Sequence, residues 1–413
     1  MSHTDKTRLV IVGGGAAGVL LAMKLVSEKS LSITLIDGKT FYEYTPALCS
    51  VLYEPTDEMF RQHFDAVTVP YENLLPPLGI EFKLGIVRDI QHDEVLLQDQ
   101  SSIPYDYAVI CTGSSYQEPW KIKSNGHEIV QLEDRLRYLT EQRQRYQDAE
   151  RILCIGGGPV GVELVAEIAN RSPEKQVSLV SATDQVLSGS PGKMSYYAQK
   201  ILHHYEQIQL ITGEMAEPVD NGNSSRQCYM TKKSGTRIEA DLVYMATGIQ
   251  PNTAFLKESH GDWLNDKGHI QVDSYLRVNH TANLFAIGDA NALDEPKMFY
   301  TAHMQAIHCA HNLQRLLQKQ PLREYKGSRK AMITSMGPDY GLAYVSAGVL
   351  LRGWPFTTNK GSKLAALEKH AIERITMNDW HLKKPVNDML YYAHEKGHFM
   401  SRVLMLISMG KIQ

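Results

Sequence analysis

Two stretches of the chain share one pattern of hydrophobic and polar positions. The first runs from the apolar segment 9–12 into the glycine-rich segment 13–18, and the second from the apolar segment 152–155 into the glycine-rich segment 156–161. In both, apolar residues then recur at the spacing of an amphipathic helix. A short continuous apolar run is typical of a strand buried on both faces of a parallel sheet. The repeat therefore predicts an α/β protein with two Rossmann-like units.

Both glycine-rich segments read G-x-G-x-x-G, in which each glycine has its own role when the motif joins a strand to a helix. The first permits a tight turn, the second lets the backbone approach a pyrophosphate, and the third lets helix and strand pack closely. The phosphates would meet free N–H groups at the helix N-terminus. The glycines are Gly13, Gly15 and Gly18 in the first unit, and Gly156, Gly158 and Gly161 in the second.

A second correspondence lies downstream of each glycine loop. An apolar strand that follows Asp106 ends in the turn Thr112-Gly113, and one that follows Asp241 ends in the turn Thr247-Gly248. The spacing from aspartate to glycine is the same in both copies. A close turn of this kind lets the chain leave a nucleotide-binding domain beside its ligand, so we expect the chain to cross between domains here.

The ends of later strands indicate which nucleotide each unit binds. Strand 31–36 ends at Asp37, where a carboxylate can accept hydrogen bonds from a ribose diol. The matching strand 176–180 ends at Ser181, with neither an acid nor a following arginine for a 2′-phosphate, so the preference between NADH and NADPH stays open. Taken alone, Gly288-Asp289 is a turn dipeptide. Its position after both units favours a carboxylate against the ribityl hydroxyls of a flavin, and hence FAD in the first unit.

With its motifs in this order, the chain resembles the two-dinucleotide-binding-domain flavoproteins, in the branch of type II NADH dehydrogenases and apoptosis-inducing-factor-like proteins. The resemblance covers residues 8 to about 365 and includes the glycine loops, the Thr-Gly turns and the segments 44–48, 161–163, 285–289, 296–298, 321–326 and 335–337. It implies a glutathione-reductase-like FAD/NAD(P) fold with non-covalent FAD. Hydride would pass from NAD(P)H to the flavin, and electrons from the flavin to a quinone.

The motifs and the resemblance together predict a domain organisation. A discontinuous FAD-binding domain is expected at residues 1–120 and 255–330, an NAD(P)H-binding domain at 121–254, and a C-terminal α+β region at 331–413 that closes the flavin site and ends in a helix. The residues expected to contact the cofactors are Gly13, Gly15, Ala16, Ala17, Gly18, Asp37, Lys39, Val87, Thr112, Gly113, Gly288, Asp289 and Lys297 for FAD, and Gly156, Gly158, Gly161, Ser181 and Gly248 for NAD(P)H.

Three charged residues are candidates for the chemistry, each with an alternative. The family's glutamate at the position of Glu163 lies near the nicotinamide and quinone side of the flavin; alternatively, Glu163 is a first-turn acid that complements a helix N-terminus. Lys360 matches, in a loosely aligned part, a family lysine that serves the quinone end, and a solvated surface lysine is the alternative. Lys297 precedes a predicted helix and could help carry the charge of a reduced flavin, or lie at the surface.

Composition narrows the partners and the setting. The formal net charge is −3 and the sequence pI is about 6.6, which speaks against nucleic acid as the main partner. The five cysteines form no C-x-x-C pair, which favours a reducing, intracellular compartment. A polar N-terminus and the lack of an apolar run of roughly 18 residues predict a protein that is not secreted and is either cytoplasmic or peripheral to a membrane.

Other motifs are interpreted as structural. The segment 394–398 spells the zinc-protease sequence H-E-x-x-H, but its glycine weakens a helix and no third ligand follows, so no metal is predicted. Cys49 lies where some disulfide reductases keep a redox cysteine, but the missing partner favours an inert thiol. His303, His308 and His311 share one helical stretch and are interpreted as packing or surface residues.

The chain end and the electron acceptor leave alternatives open. Segment 399–407 has an apolar stripe that fits an interfacial membrane anchor, or packing on the body or on the partner of a homodimer; its few basic neighbours favour packing. The leading function is NAD(P)H:quinone oxidoreductase. The competing functions are a flavin-dependent monooxygenase or oxidase that acts on a small molecule, and a redox-sensing effector similar to apoptosis-inducing factor.

Overall fold

The computed structural model describes residues 6–116, 119–120, 130–220, 226–328, 331–345, 348–349, 357–358 and 361–383. Numbered in chain order, the α-helices described are α1 Ala16–Leu25, α2 Leu48–Val51, α3 Asp57–Val67, α4 Tyr71–Leu74, α5 Leu132–Asp148, α6 Pro159–Arg171, α7 Gly192–Leu202, α8 Phe299–Leu317 and α9 Lys363–Trp380. Short 3-10 helices lie at Thr45–Ala47, Pro76–Leu78, Ala254–Leu256, Gly261–Trp263 and Gly288–Ala290.

The strands are β1 Thr7–Val12, β2 Leu31–Asp37, β3 Phe41–Glu43, β4 Thr68–Pro70, β5 Glu81–Leu84, β6 Val87–Ile90, β7 Glu94–Leu97, β8 Ser102–Pro104, β9 Tyr107–Ile110, β10 Ser114–Ser115, β11 Arg151–Ile155, β12 Gln176–Ser181, β13 Ile208–Thr212, β14 Ala216–Val219, β15 Gln227–Thr231, β16 Arg237–Ala240, β17 Leu242–Met245, β18 Gln250–Pro251, β19 Leu284–Ala286, β20 Ala331–Ser335, β21 Gly341–Val345, β22 Gly348–Val349, β23 Thr357–Thr358 and β24 Gly361–Ser362.

The first parallel sheet has the strand order β19-β9-β1-β2-β5, and every neighbouring pair in it is parallel. Strand β1 is continuously apolar because both of its faces are covered. Leu9 and Ile11 pack in the cluster that contains helix α1, whereas Val10 and Val12 pack with residues of β6 and β7 on the other face. Helix α1 in turn packs against α8, so the sheet has a helical layer on one side and a small antiparallel sheet, β6-β7-β8, on the other.

The second parallel sheet has the order β13-β12-β11-β17. Its central strand β11 alternates in the same way as β1. Ile152 and Cys154 pack with residues of α6, and Leu153 and Ile155 pack with Ile238 of the antiparallel sheet β14-β15-β16. The predicted α/β fold with two parallel sheets of the dinucleotide-binding type is confirmed. The predicted domain bounds stay a prediction.

Two adjacent strands connect the sheets. Strands β10 and β18 pair antiparallel, with Ser114 opposite Pro251. The backbone N–H of Asn252 donates to the carbonyl of Gly113 at 3.0 Å, and its side-chain amide donates to the carbonyl of Thr112 at 3.0 Å. The chain therefore leaves the first unit and returns to it at one place, beside the first Thr-Gly turn.

The C-terminal region forms the antiparallel sheet β20-β21-β24-β23, with β22 paired to β21. Helix α9 packs on β20 and β21 and also contacts α3 of the first unit. Its last residue, Trp380, is buried and stacks on Tyr42 with ring centroids 4.7 Å apart. Among the described helices, none combines the length and the apolar character needed to cross a bilayer.

A buried ion pair ties helix α5 to the first unit. The guanidinium of Arg135 donates to both carboxylate oxygens of Glu43, at 2.7 and 3.1 Å. The side chains of Arg135 and Glu43 are 0% and 3% exposed, so water solvates neither charge. A further hydrogen bond from Arg135 to the carbonyl of Pro119 holds the chain where it approaches the second unit.

Replacing Glu43 by alanine should lower the free energy of unfolding by about 3–5 kcal/mol, because it leaves the Arg135 charge buried without its counterion. Urea denaturation of the purified protein measures this. The matched control is Asp134→Asn, which removes the half-buried partner of the exposed Arg137 on the same helix and should cost less than about 0.5 kcal/mol. Equal urea midpoints for the two variants would contradict the assignment.

Candidate functional site

The first glycine of each loop meets the backbone of a neighbouring strand. Gly13 has φ +107° and Gly156 has φ +129°, in the region that favours glycine. A β-carbon at Gly13 would lie 2.4 Å from the carbonyl oxygen of Cys111, and one at Gly156 would lie 2.2 Å from that of Ala246. The loops are thus two copies of one turn, each pressed against the strand end that follows it in its sheet.

The third glycine of each loop fixes the helix against the turn. A β-carbon at Gly18 would lie 1.9 Å from the carbonyl oxygen of Gly13, and the same distance separates a β-carbon at Gly161 from that of Gly156. A side chain at either position would push the helix away from the strand. These contacts explain why small residues are required in the loops independently of any ligand.

The second glycine of each loop faces open space instead. A β-carbon at Gly15 or Gly158 would meet nothing within 4 Å. These two residues are the N-caps of α1 and α6, and neither helix has a side-chain cap. The first helical N–H groups, including those of Ala16 and Ala17, therefore point to a space where an anion fits. Both cradles are suited to a pyrophosphate.

Asp37 and Ser181 occupy equivalent places beside the two loops. Asp37 accepts hydrogen bonds from the backbone N–H of Gly14 at 2.6 Å and of Lys39 at 3.0 Å. Desolvation raises the pKa of Asp37 above its ordinary value, against the lowering effect of the Lys39 charge. A β-carbon at Gly157 would lie 2.3 Å from the hydroxyl oxygen of Ser181, so the serine replaces the carboxylate in the second unit.

The end of β19 adds polar groups to the first site. Asp289 accepts a hydrogen bond from the hydroxyl of Ser114 at 2.6 Å, and the N–H of Gly288 donates to Gln305 at 2.7 Å. The hydroxyl of Thr112 is buried and has no partner within the described part of the chain. A buried donor of this kind ordinarily has a partner, and a bound nucleotide beside Gly13 would supply one.

The remaining predicted cofactor residues are placed as follows. The ammonium of Lys297 donates to the carbonyls of Asn291 at 2.7 Å and Leu293 at 3.1 Å, and burial lowers its pKa, so it is not a freely solvated surface lysine. Lys39 lies over the ring of Phe41, 4.7 Å from its centroid. Three other predicted contact residues have no polar side chain. Val87 is buried at the start of β6. Gly113 and Gly248 both have positive φ, and a β-carbon at either would meet no atom within 4 Å.

Glu163 takes part in a three-residue contact that the sequence did not predict. Its carboxylate accepts hydrogen bonds from the backbone N–H of Ser335 at 2.9 Å and from the ammonium of Lys369 at 3.0 Å. Lys369 also donates to the hydroxyl of Ser335 at 2.8 Å. Burial lowers the pKa of Lys369, but Glu163 and nearby groups outweigh burial, so the pKa is raised and the amine is charged at neutral pH.

The alternative interpretation of Glu163 as a first-turn acid is wrong. Helix α6 begins at Pro159 and has no acid in its first turn, so Glu163 points across to the C-terminal region rather than to the helix N-terminus. Lys360, the other catalytic candidate, lies outside the described residues, as do segment 399–407 and the H-E-x-x-H sequence. Lys369 was missed because it lies beyond residue 365, where the resemblance fades.

The five cysteines are all buried and unpaired with one another. Burial, and then the charge of Glu163, raise the pKa of the Cys49 thiol well above its usual range, which makes it a poor nucleophile. A dithiol exchange site is therefore not formed by these residues. The described residues hold no cluster of metal-ligating side chains, and His303 packs against Phe299.

The family model of the pyridine nucleotide-disulphide oxidoreductases matches residues 7–310, from β1 through most of α8. The chain belongs to this family. Its curated relatives include ferroptosis suppressor protein 1 of Taeniopygia guttata, 24% identical over 353 residues that cover 84% of this chain and 90% of the relative. They also include apoptosis-inducing factor homolog B of Dictyostelium discoideum, 28% identical over 372 residues that cover 84% and 92%.

Two solved structures with the same fold have a quinone or NADH in their descriptions. One is the sulfide:quinone oxidoreductase of Aquifex aeolicus, with a TM-score of 0.72 and 17% identity over 94% of this chain and 95% of that one. The other is NDH2 of Plasmodium falciparum in complex with NADH, with a TM-score of 0.68 and 14% identity over 92% and 98%. The resemblance inferred from the motifs is confirmed, and so are the cofactors. The protein is a flavoprotein oxidoreductase that uses FAD and NAD(P)H.

Substitution of the second glycine in each loop should separate binding from folding. Because both β-carbon positions are open and neither glycine has a positive φ, Gly15→Val and Gly158→Val should fold normally. Gly15→Val should purify with little flavin absorbance. Gly158→Val should keep its flavin but show a KM for NAD(P)H raised at least about tenfold, the factor for roughly 1.4 kcal/mol of lost binding.

Gly13→Val is the control in which folding itself should fail, because its β-carbon would overlap the carbonyl of Cys111. Normal flavin content in Gly15→Val would contradict the placement of the FAD phosphates.

Proposed function

We propose that the protein is an NAD(P)H:quinone oxidoreductase in which the Glu163 and Lys369 pair serves the electron acceptor. The overall reaction is NAD(P)H + H⁺ + quinone → NAD(P)⁺ + quinol. FAD supplies the two-electron exchange between the nucleotide and the acceptor. The observation that carries the proposal is the ammonium of Lys369, whose side chain is only 15% exposed and which a carboxylate holds between the second nucleotide unit and the C-terminal region.

The predicted cofactor residues act by gripping and orienting. The N-terminus of α1 and the Asp37 carboxylate would bind the pyrophosphate and ribose of FAD, and Asp289 its ribityl hydroxyls. The N-terminus of α6 would bind the pyrophosphate of NAD(P)H, with Ser181 beside its ribose. Lys297, whose ammonium is fixed by backbone carbonyls before α8, would stabilise negative charge on the flavin.

A chain of neighbouring groups supports a position of the Glu163 and Lys369 pair near the flavin. The charges of both residues act on Cys49 of α2. Burial raises the pKa of Tyr116, and Asp289 and Cys49 raise it further. Glu163 lies on the nucleotide-binding helix α6, which packs against α2 of the first unit, so the pair adjoins that unit.

The chemistry of the site favours a quinone over a disulfide or oxygen as the electron acceptor. A disulfide acceptor needs a reactive cysteine, and the five thiols are buried and unpaired with one another. A quinone takes up two electrons and two protons when it is reduced to a quinol. A hydride supplies both electrons but only one of the two protons. A charged lysine hydrogen-bonded to a carboxylate can donate the second proton and bind a quinone carbonyl. The sulfide:quinone oxidoreductase that shares the fold supports the same class of acceptor.

Stopped-flow measurement of the two half-reactions tests the function. Flavin absorbance should bleach on mixing with NADH or NADPH, and return faster with a ubiquinone analogue than with oxygen or a disulfide. Reoxidation by oxygen at the same rate with and without quinone, with hydrogen peroxide as product, would assign the protein to the oxidases instead.

Substitution of Lys369 should affect only the second half-reaction. Lys369→Gln removes the proton donor, so reoxidation by quinone should slow roughly 10²-fold, while flavin reduction by NAD(P)H changes less than about threefold. The matched control is Lys363→Gln at the exposed first residue of the same helix, which should leave both rates at the wild-type value. Equal slowing of both half-reactions would contradict a role on the acceptor side.

Access of a lipid quinone is a further part of the proposal. The apolar stripe in segment 399–407 would bind a membrane surface, or pack on the body or on a second subunit. Sedimentation with phospholipid vesicles and the mass in solution separate these cases. A truncated chain that ends at residue 398 should lose vesicle binding if the stripe is an anchor.

A further inference from the structure

Seven ionisable side chains form an ion network that consists of two groups of contacts on neighbouring elements. It joins helix α6, the segment after α2, helix α3 and helix α9, and the described contacts run from one element to the next. The first group is the chain of contacts Glu167, Arg171, Glu54, His63 and Glu373. The second group is the pair Glu163 and Lys369, which lie on the same two helices, α6 and α9, as the ends of the first. The function proposed above uses only the second group.

One side of the network lies along α6. Glu163, Glu167 and Arg171 are spaced four residues apart and so share one helix face. Arg171 donates to Glu167 at 2.6 Å and to Glu54 at 2.9 Å. Burial raises the pKa of Glu167, and the nearby charge of Lys369 opposes that effect, so this side of the network is electrostatically coupled to the acceptor pair.

His63 bridges two carboxylates, those of Glu54 and Glu373. Its Nδ1 lies 2.8 Å from Glu54 and its Nε2 lies 3.2 Å from Glu373. The three side chains are 16%, 10% and 17% exposed, so water does little to screen them. A neutral imidazole has one N–H and can donate to only one of the two carboxylates. Both hydrogen bonds therefore require the imidazolium.

Helix α9 connects His63 to the acceptor pair. Glu373 and Lys369 are four residues apart and lie on one face of α9. A contact that holds Glu373 therefore adds to the packing on β20 and β21 in fixing the rotation of α9 and the direction of the Lys369 side chain. The hydrogen bond of Lys369 to Glu163 is 3.0 Å long, a distance that a small rotation of α9 would lengthen.

We propose that His63 is a positioning residue for the acceptor step: by bridging Glu54 and Glu373 it holds α9 in the orientation that aims Lys369 at Glu163. The kinetic part of this inference rests on the proposed function, because it concerns the reaction of that pair. The structural part does not, since the bridge and the helix exist whatever the acceptor is.

The bridge has a defined pH range. Burial lowers the pKa of His63, but the hydrogen bonds and charges of Glu373 and Glu54 outweigh burial and raise it to about 9. Because the folded pKa exceeds the ordinary value, the contribution of the bridge is complete below about pH 6.5 and is lost as the pH rises through about 9. The charged groups that face His63 are Glu54, which is paired with Arg171, and Glu373.

The first experiment compares His63→Gln with wild-type holoenzyme in quinone reduction. The variant should lose about tenfold in kcat/KM for the quinone, the effect of one charge-assisted hydrogen bond, with an unchanged rate of flavin reduction. The wild-type rate should fall near pH 9, and this alkaline limb should be absent from the variant. The control is Arg61→Gln, which removes an exposed ion pair with Asp65 on the same helix and should behave as wild type. A variant that keeps the wild-type kcat/KM or the alkaline limb would overturn the inference.

A second comparison asks whether His63 acts through Lys369. In a Lys369→Gln background, His63→Gln should cause no further loss, because the side chain that it positions is already gone. Two full, multiplicative losses would show that the histidine acts elsewhere and would overturn the positioning role.

Hydrogen–deuterium exchange of the full-length holoenzyme gives a readout that needs no acceptor. His63→Gln should lower the protection of the α9 amides at pH 7, and wild type should show the same loss of protection at pH 10 once the faster intrinsic exchange at that pH is divided out. Unchanged exchange in α9 would overturn the inference. If wild-type flavin is not reoxidised by quinone, the proposed function fails, but this measurement still decides whether His63 holds the helix.

Discussion

Two backbone turns that have no room for a β-carbon determine where everything else in the molecule lies. Each presses a glycine against the carbonyl at the end of the adjacent parallel strand, at Cys111 in the first sheet and at Ala246 in the second. The contact fixes which strand lies beside β1 and which beside β11, and it directs the N-termini of α1 and α6 toward the carboxyl ends of the strands. Polar groups that follow those strands, such as Thr112 and Asp289, are brought to the same edge as a consequence.

This part of the structure could be predicted from the sequence because it depends on local rules. A buried parallel strand must be continuously apolar, and a turn with positive φ beside a carbonyl must be glycine. Both requirements leave marks within a window of about ten residues. The strand ends at Asp37 and Ser181 were predictable for the same reason, since they follow apolar runs whose length sets the distance to the loop. The two dinucleotide sites then follow from the loops, whereas the assignment of FAD to the first also needed Gly288-Asp289.

The acceptor side could not be predicted in the same way. Lys369 meets Glu163 across 206 positions of sequence, and its own helix carries ordinary surface residues that give no local sign of the contact. The position of α9 depends on tertiary packing, including the stack of Trp380 on Tyr42 and the contacts of β20 and β21. Glu163 itself was recognisable only through a family resemblance. Its supposed first-turn role was wrong because the proline at 159 starts the helix one turn earlier.

The edge strand β19 has a consequence for the order in which the molecule is built. It pairs with β9, with Leu284 opposite Ala108. The first sheet therefore lacks this edge strand until the ribosome has synthesised all strands of the second sheet. During synthesis the later sheet therefore emerges complete while the earlier one is still missing a strand. The outer edge of β9, which faces away from β1, would be open to wrong partners in this interval, and a chain stalled before residue 284 would expose that edge permanently.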